Sequence, residues 1–347
     1  MTSSDVLNAS QGRNQRERRS AVTEPVFPQF VGCGRSGTTL LRNIFDSHSA
    51  LAMTHESHFI GPMARSRTRY ETGAGFDVDA FVHDLYRDAN FVRQGLGVET
   101  TRAAMESARP ESYAAAVRAV FAAYATSDGK ELYGDKTPGS VTQIELLAEL
   151  FPEARFVHII RDGRAVALSY LERPEWGPET MAEAAHHWKN RVQRGRTAGR
   201  SVGPNRYMEV RYEDIVTTPE DVTRQVCDFL GLEFEEAMLR YHENSAEFIA
   251  NTKDPAAFKN LSKPITDGLR SWKDEISDKD LGLFEAIAGD LLTELGYPVS
   301  AGSPGISTRG RVVVAAVSWQ WKRLVSFASA RSKTSKRYAY IRKNEVG

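Results

Sequence analysis

Residues 26–45 read "VFPQFVGCGRSGTTLLRNIF", and their reading decides the fold. The first six, 26–31, have the apolar character of a short buried strand. The last third places Leu40, Leu41, Ile44 and Phe45 at helical spacing. Between them Gly32, four residues, Gly37, and then Thr38 and Thr39 reproduce the glycine spacing and hydroxyl of G-x-x-x-x-G-K-[ST]. Thr38 stands where that loop carries lysine. A strand–loop–helix unit of this kind turns backbone N–H groups inward and points a helix N-terminus at an anion. Phosphate binding therefore outweighs a merely structural turn. Without the lysine that reaches the outer phosphates, a triphosphate with its magnesium is disfavoured.

The rest of the chain repeats the strand-then-helix pattern. "RFVHII", 155–160, runs into the helical "RDGRAVALSYL", and "RYMEVRY", 206–212, runs into a helix with Pro219 in its first turn and Gly231 at its end. Further helices are expected near 79–88, 111–125 and 278–295, the last before a Gly302–Gly305 linker. Strands alternating with helices predict an α/β fold. We expect a three-layer, P-loop-NTPase-like sandwich with a parallel sheet of four or five strands. The expected organisation is a disordered segment 1–21, one domain 22–300, and a linker with a basic amphipathic tail, 301–347. Across 347 residues, Lys+Arg and Asp+Glu are equal at 45 each, so no nucleic acid is expected as a partner. Two cysteines, Cys33 and Cys227, form no disulfide framework, and the first twenty residues contain no apolar run. A soluble cytoplasmic protein is the expectation.

A second feature sharpens the ligand. In nucleotide triphosphatases a strand ends in the aspartate that holds the metal, whereas "FVHII" ends in Arg161. A cation for an anion there points to a metal-independent ligand with two separate phosphates. At these residues the chain resembles the sulfotransferases that use 3′-phosphoadenosine-5′-phosphosulfate (PAPS). "RSGTTLL", 35–41, is similar to their 5′-phosphosulfate loop, and "RDGRAVALS", 161–169, to their 3′-phosphate motif, with Arg161 and Ser169 as its arginine and serine. The branch that includes the tyrosylprotein sulfotransferases and many bacterial enzymes is the nearest in pattern. There an Asp-x-His, here Asp46 and His48, precedes an acidic motif, here "THESHFI", which places the catalytic base on Glu56. "DKTP" brings Lys136 to the sulfonate, and "RYED" puts Tyr212 against the adenine. "LRSWKD" resembles the segment that closes over the 3′-phosphate, through Ser271 or Arg270 beside Trp272.

The resemblance thus implies PAPS as co-substrate, a hydroxyl-bearing acceptor and no metal. Glu56, Arg35 and Lys136 are the catalytic candidates. Arg35, Ser36, Gly37, Thr38, Thr39, Arg161, Ser169, Tyr212 and Ser271 are the nucleotide-binding ones. His55 and His58 are the alternative bases, since histidine is the common one. They lack the i, i+4 spacing of a helical zinc pair. His186 and His187 read as structural, and Cys33 has no partner base in its motif. The rival functions are an ATP-dependent small-molecule kinase and a non-catalytic nucleotide-binding scaffold. In the tail, Val313, Val317, Trp321 and Leu324 share one helical face beside Lys322 and Arg323. Such a helix docks on its own domain or lies on an anionic membrane surface, giving peripheral contact through 309–347.

Overall fold

The computed structural model describes residues 25–250, 255–265 and 272–300. Its centre is β1, Phe27–Gly32, buried at all six positions because helices cover both faces of the sheet. The other main strands are β2 (Leu51–Thr54), β5 (Leu132–Lys136), β6 (Ala154–Ile160) and β7 (Tyr207–Arg211). They lie in the order β2-β5-β1-β6-β7, and every pairing is parallel. A separate two-stranded ribbon pairs β3 (Glu71–Thr72) with β4 (Gly75–Phe76). The expected parallel sheet is present with five strands.

Side-chain alternation along the strands divides the core into layers. Phe27, Val31 and Phe156 pack on one face with Val117 and Phe121. Phe30, Val157 and Ile159 pack on the other with Leu41, Ile44, Phe45, Val222 and Val226. The helices that matter for the site are α1 (Thr38–Asp46), α2 (Tyr113–Ser127), α3 (Gly163–Leu171), α4 (Met181–Val202), α5 (Pro219–Leu230) and α6 (Asp278–Glu294). A third cluster joins α3, α4 and α6 around Trp188, Phe284 and Leu291, at the same end of the sheet as the loops described below.

Strand β1 and helix α1 fall where the periodicity put them, and α5 begins at Pro219 and ends at Gly231, whose φ is +73°. Two strands were not expected. β2 is only "LAMT", and β5, "LYGDK", carries a glycine and two charges. Neither run is long or apolar enough to announce itself, and both become strands by pairing with neighbours. The segments 1–21 and 301–347, the Gly302–Gly305 linker, Arg270 and Ser271 lie outside the described residues.

Candidate active site

Parallel strands put all their carboxyl ends on one edge, a line about 19 Å long at the usual strand spacing. Ligands of open α/β sheets bind there. Read in sheet order, the residues that leave the five strands are Glu56 after β2, Lys136 at the end of β5, the loop 33–37 after β1, Arg161 after β6 and Tyr212 after β7. Five motifs far apart in sequence thus become one row.

The loop is built for close approach. Gly37 has φ +88°, and a Cβ on it would sit 2.2 Å from Cδ2 of Tyr212, so the glycine both makes the turn and admits the ring. It is also the N-cap of α1 and supplies no side-chain cap. The first N–H groups of a helix have no intrahelical acceptor. The Ser36 N–H closes the loop on the Cys33 carbonyl at 3.3 Å, so the free cradle starts at Gly37. The Ser36 hydroxyl is buried with no hydrogen-bond partner among the described residues, although buried polar atoms are nearly always paired. An orphaned hydroxyl beside an uncapped helix start fits a bound phosphate. Thr38 is buried and Thr39 half-buried at the same helix start.

Beyond the loop lies a cluster of cations and rings. Arg35 Nε donates to Ser169 Oγ at 2.9 Å, and its guanidinium lies 4.9 Å from the centre of the Trp176 ring. Arg161 Nη1 donates to the Arg35 carbonyl at 3.2 Å, with its guanidinium 4.3 Å from the Tyr212 ring centre. Burial pulls the Arg35 pKa down; Tyr170 opposes this, and the charges of Arg173 and Arg161 add to it. Crowded guanidinium groups of this kind are relieved by an anion. Trp188 Nε1 fixes the Arg161 carbonyl at 3.1 Å.

Asp162, a rival partner for Arg161, is taken by Arg164, which forks onto it at 3.0 and 2.8 Å and also reaches Glu285 at 2.7 Å. Arg164 is buried and supports the motif from beneath. The Trp272 ring covers it at 3.9 Å, which brings Trp272 beside 161–169.

The other end of the row carries the carboxylate. Lys136 Nζ, almost fully buried, donates to Glu56 Oε1 at 3.0 Å, and His58 Nε2 lies 2.9 Å from Glu56 Oε2. Burial pushes the Glu56 pKa up, but Lys136 and His58 more than offset it and hold the carboxyl below the usual range. Glu56 is therefore a carboxylate at neutral pH. Its turn is anchored from β5: Asp135 accepts from Ser57 Oγ at 2.6 Å and Thr54 Oγ1 at 3.0 Å, and the Ser57 N–H donates to Thr137 Oγ1 at 2.8 Å.

Of the alternative bases, His58 touches Glu56 directly. His55, next to Glu56 in sequence, lines a cavity of about 510 Å³ with Arg42, Asp46, Gln94, Tyr124 and Lys130. Burial, with Arg42 and Lys136, lowers the His55 pKa to about 3, so that ring is neutral. His187 is neutral for similar reasons, pushed down to about 3 by burial and Arg191, and its Nε2 accepts from Arg191 Nε at 2.7 Å. The Cys33 thiol is pushed up to about 11 by burial. None of these three reads as a nucleophile or base. Among the described residues no group of His, Cys, Asp and Glu is arranged to hold a metal, and no helix is long and apolar enough to cross a membrane.

Arg35, Ser169, Arg161 and Tyr212 thus form one contiguous cluster, and Glu56 and Lys136 a second, with the loop between them in sheet order. Sequence reasoning missed Trp176, Trp188 and the His58 contact. Nothing in "RPEWG", 173–177, marks a ring that would lie over Arg35.

Comparison with known proteins agrees with this geometry. The model of the Sulfotransferase family matches residues 25–236, and the chain belongs to that family. A protein-tyrosine sulfotransferase of Caenorhabditis elegans is 24% identical over 279 residues, covering 79% of this chain and 67% of the relative. An omega-hydroxy-beta-dihydromenaquinone-9 sulfotransferase of Mycobacterium bovis is 29% identical over 155 residues, 40% of this chain and 37% of the relative. The sulfotransferase domain from the curacin biosynthetic pathway shares the fold, with TM-score 0.56 and 19% identity, over 80% of this chain and 99% of that one. The protein is an enzyme of sulfuryl transfer.

Proposed function

We propose that this sulfotransferase takes PAPS as donor and moves its sulfuryl group to a hydroxyl-bearing acceptor, with Glu56 as the base. The observation that carries the proposal is the row itself: a carboxylate and a buried lysine 3.0 Å apart at one end, an orphaned hydroxyl in a phosphate loop next, and Arg161 over Tyr212 at the other end. The N–H groups of Gly37–Thr39 and the Ser36 hydroxyl hold the 5′-phosphate. Arg161 and Ser169 take the 3′-phosphate, and Tyr212 lies against the adenine. PAPS supplies the activated sulfuryl group and a stable leaving group, adenosine 3′,5′-bisphosphate.

Glu56 removes the acceptor's proton as its oxygen forms a bond to sulfur, while the bond from sulfur to the bridging phosphate oxygen breaks. Such a displacement is physically close to loose phosphoryl transfer, where positioning and charge stabilisation supply most of the catalysis. Lys136 and Arg35 stabilise charge on the sulfonate and bridging oxygens. A kinase is disfavoured by Thr38 in place of lysine and Arg161 in place of the metal-binding acid.

The named relatives act on a protein tyrosine and on a dihydromenaquinone derivative, to go by their names. A tyrosyl peptide is accordingly the first acceptor to test. The same reading takes 22–300 as the catalytic domain, in a reducing cytoplasmic setting that suits two free, buried cysteines. It leaves open whether 309–347 docks on the domain or makes peripheral contact with an anionic membrane, which co-sedimentation with anionic vesicles tests. For the chemistry, sulfur-labelled PAPS is incubated with the peptide in EDTA. Label should reach the peptide with the wild type, and Glu56→Gln should fall by about 10²–10⁴, the usual contribution of general base catalysis. Full turnover in Glu56→Gln would remove the base assignment.

A further inference from the structure

Both oxygens of Glu56 lie within hydrogen-bond distance of nitrogen donors, Lys136 and His58, and the two are not equivalent. Lys136, on Oε1, is 4% exposed and stands one strand from the phosphate loop. A donor sulfonate placed there competes with Glu56 for its ammonium. His58, on Oε2, is 44% exposed and sits on the same turn as Glu56. That turn is itself pinned by Ser57 to Asp135 and Thr137. Donor binding would therefore draw Lys136 away and leave His58 in place.

Resting on the base assignment above, we propose that His58 is a positioning residue for Glu56. Its Nε2–H holds Oε2, Oε1 alone faces the acceptor's proton once Lys136 has turned to the donor, and the charge on His58 throttles the base. The groups facing His58 are Glu56 on its own turn, Asp135 on β5 and Asp88 ahead of the short helix Ala89–Val92, all acids, with Lys136 across the carboxylate. The hydrogen bond to Glu56 raises the His58 pKa above its ordinary 6.5, burial opposes this, and the charges of Glu56, Asp135 and Asp88 raise it further. Below that raised value the imidazolium withdraws electron density from Oε2 and weakens Oε1 as a base. Above it the neutral ring still donates through Nε2–H, so orientation persists while basicity rises. The proton taken from the acceptor stays on Oε1 until exchange with solvent.

Because the ring is exposed, His58 variants should fold. The test is the rate of PAPS hydrolysis, with water as acceptor, from about pH 5.5 to 9 in wild type, His58→Gln, His58→Ala and Glu56→Gln. The wild-type rate should rise about three- to tenfold through one ionisation above 6.5, as expected when a base gains strength. His58→Gln, which keeps a donor but cannot titrate, should hold the upper rate and lose the ionisation. His58→Ala should lose both the ionisation and about tenfold in kcat, with the KM for PAPS unchanged, because only the aim of the base is disturbed. By NMR, the His58 ring should titrate lower in Glu56→Gln than in wild type. His58→Ala with wild-type kcat and pH profile overturns the inference, as does a His58 titration indifferent to Glu56→Gln. Those results with an inactive Glu56→Gln sink only the role of His58. A fully active Glu56→Gln sinks the base reading itself.

Discussion

Arg161 shows how a single side chain carries the nucleotide assignment. Its guanidinium is held between the Tyr212 ring and the Arg35 carbonyl, while its own carbonyl is tied by Trp188. The neighbouring acid, Asp162, is committed to Arg164. The Arg161 side chain is thus placed by several contacts but carries no acid partner from its own motif. Charge-assisted hydrogen bonds contribute about 1.5–3 kcal/mol each, so Arg161→Ala should cost about tenfold or more in affinity for adenosine 3′,5′-bisphosphate. Affinity for 5′-AMP should barely change, and paired calorimetric titrations decide it. At this scale Arg35, Arg161 and Tyr212 were legible in sequence because each lies in a short motif after an apolar strand, whereas Glu56 and Lys136 were reached only through the family resemblance. Trp176 over Arg35 was not legible, since that contact exists only after the short 3-10 turn Pro174–Trp176 folds back across the loop. The His58 contact was hidden for a similar reason: two histidines flank Glu56, and only the turn geometry says which one reaches its carboxylate.

The strand–loop–helix element owes its shape to two left-handed backbone positions. Arg35 and Gly37 both have positive φ, +68° and +88°. For arginine that conformation costs about 1–3 kcal/mol, and such strain gathers at functional sites. Gly37→Ala would keep the left-handed turn strained and drive a methyl group into the Tyr212 ring, 2.2 Å from Cδ2. It should lower stability by about 1–3 kcal/mol and nucleotide affinity with it, because the ring and the cradle share that space. A denaturation midpoint and nucleotide affinity both equal to wild type would show the loop to be more pliant than this. The element was readable because strand, glycines and helix lie contiguous in sequence. β2 and β5 were not, because four residues of "LAMT" and the charged "LYGDK" have no period of their own. The register of β2 against β5, and of β5 against β1, is a tertiary fact, and the first of these sets Glu56 beside Lys136.

For the molecule as a whole, the buried histidines make acid the weak point. His158 is fully buried, its Nδ1 2.6 Å from the Tyr207 hydroxyl and its Nε2 without a partner among the described residues. Burial, and the charge of Arg196, push its pKa down to about 3. Between 6.5 and that value the unfolded chain binds a proton that the folded one refuses, so this contribution is complete above 6.5 and is lost as pH falls. The slope is about 1.4 kcal/mol per pH unit for such a group. Urea midpoints should therefore drop from pH 6.5 to 5, before most carboxylates titrate; a flat profile would place His158 in contact with water. The central claim is larger: one sheet edge, with threonine for the P-loop lysine and arginine for the metal-binding acid, reads a nucleotide carrying two separate phosphates. It is tested most directly by titration calorimetry in EDTA with adenosine 3′,5′-bisphosphate and 5′-AMP, and with ATP in magnesium. The bisphosphate should bind about tenfold or more tighter than 5′-AMP, as one charge-assisted phosphate contact requires, and EDTA should not weaken it. Equal affinity for the two, or tighter binding of ATP that needs magnesium, would contradict the account.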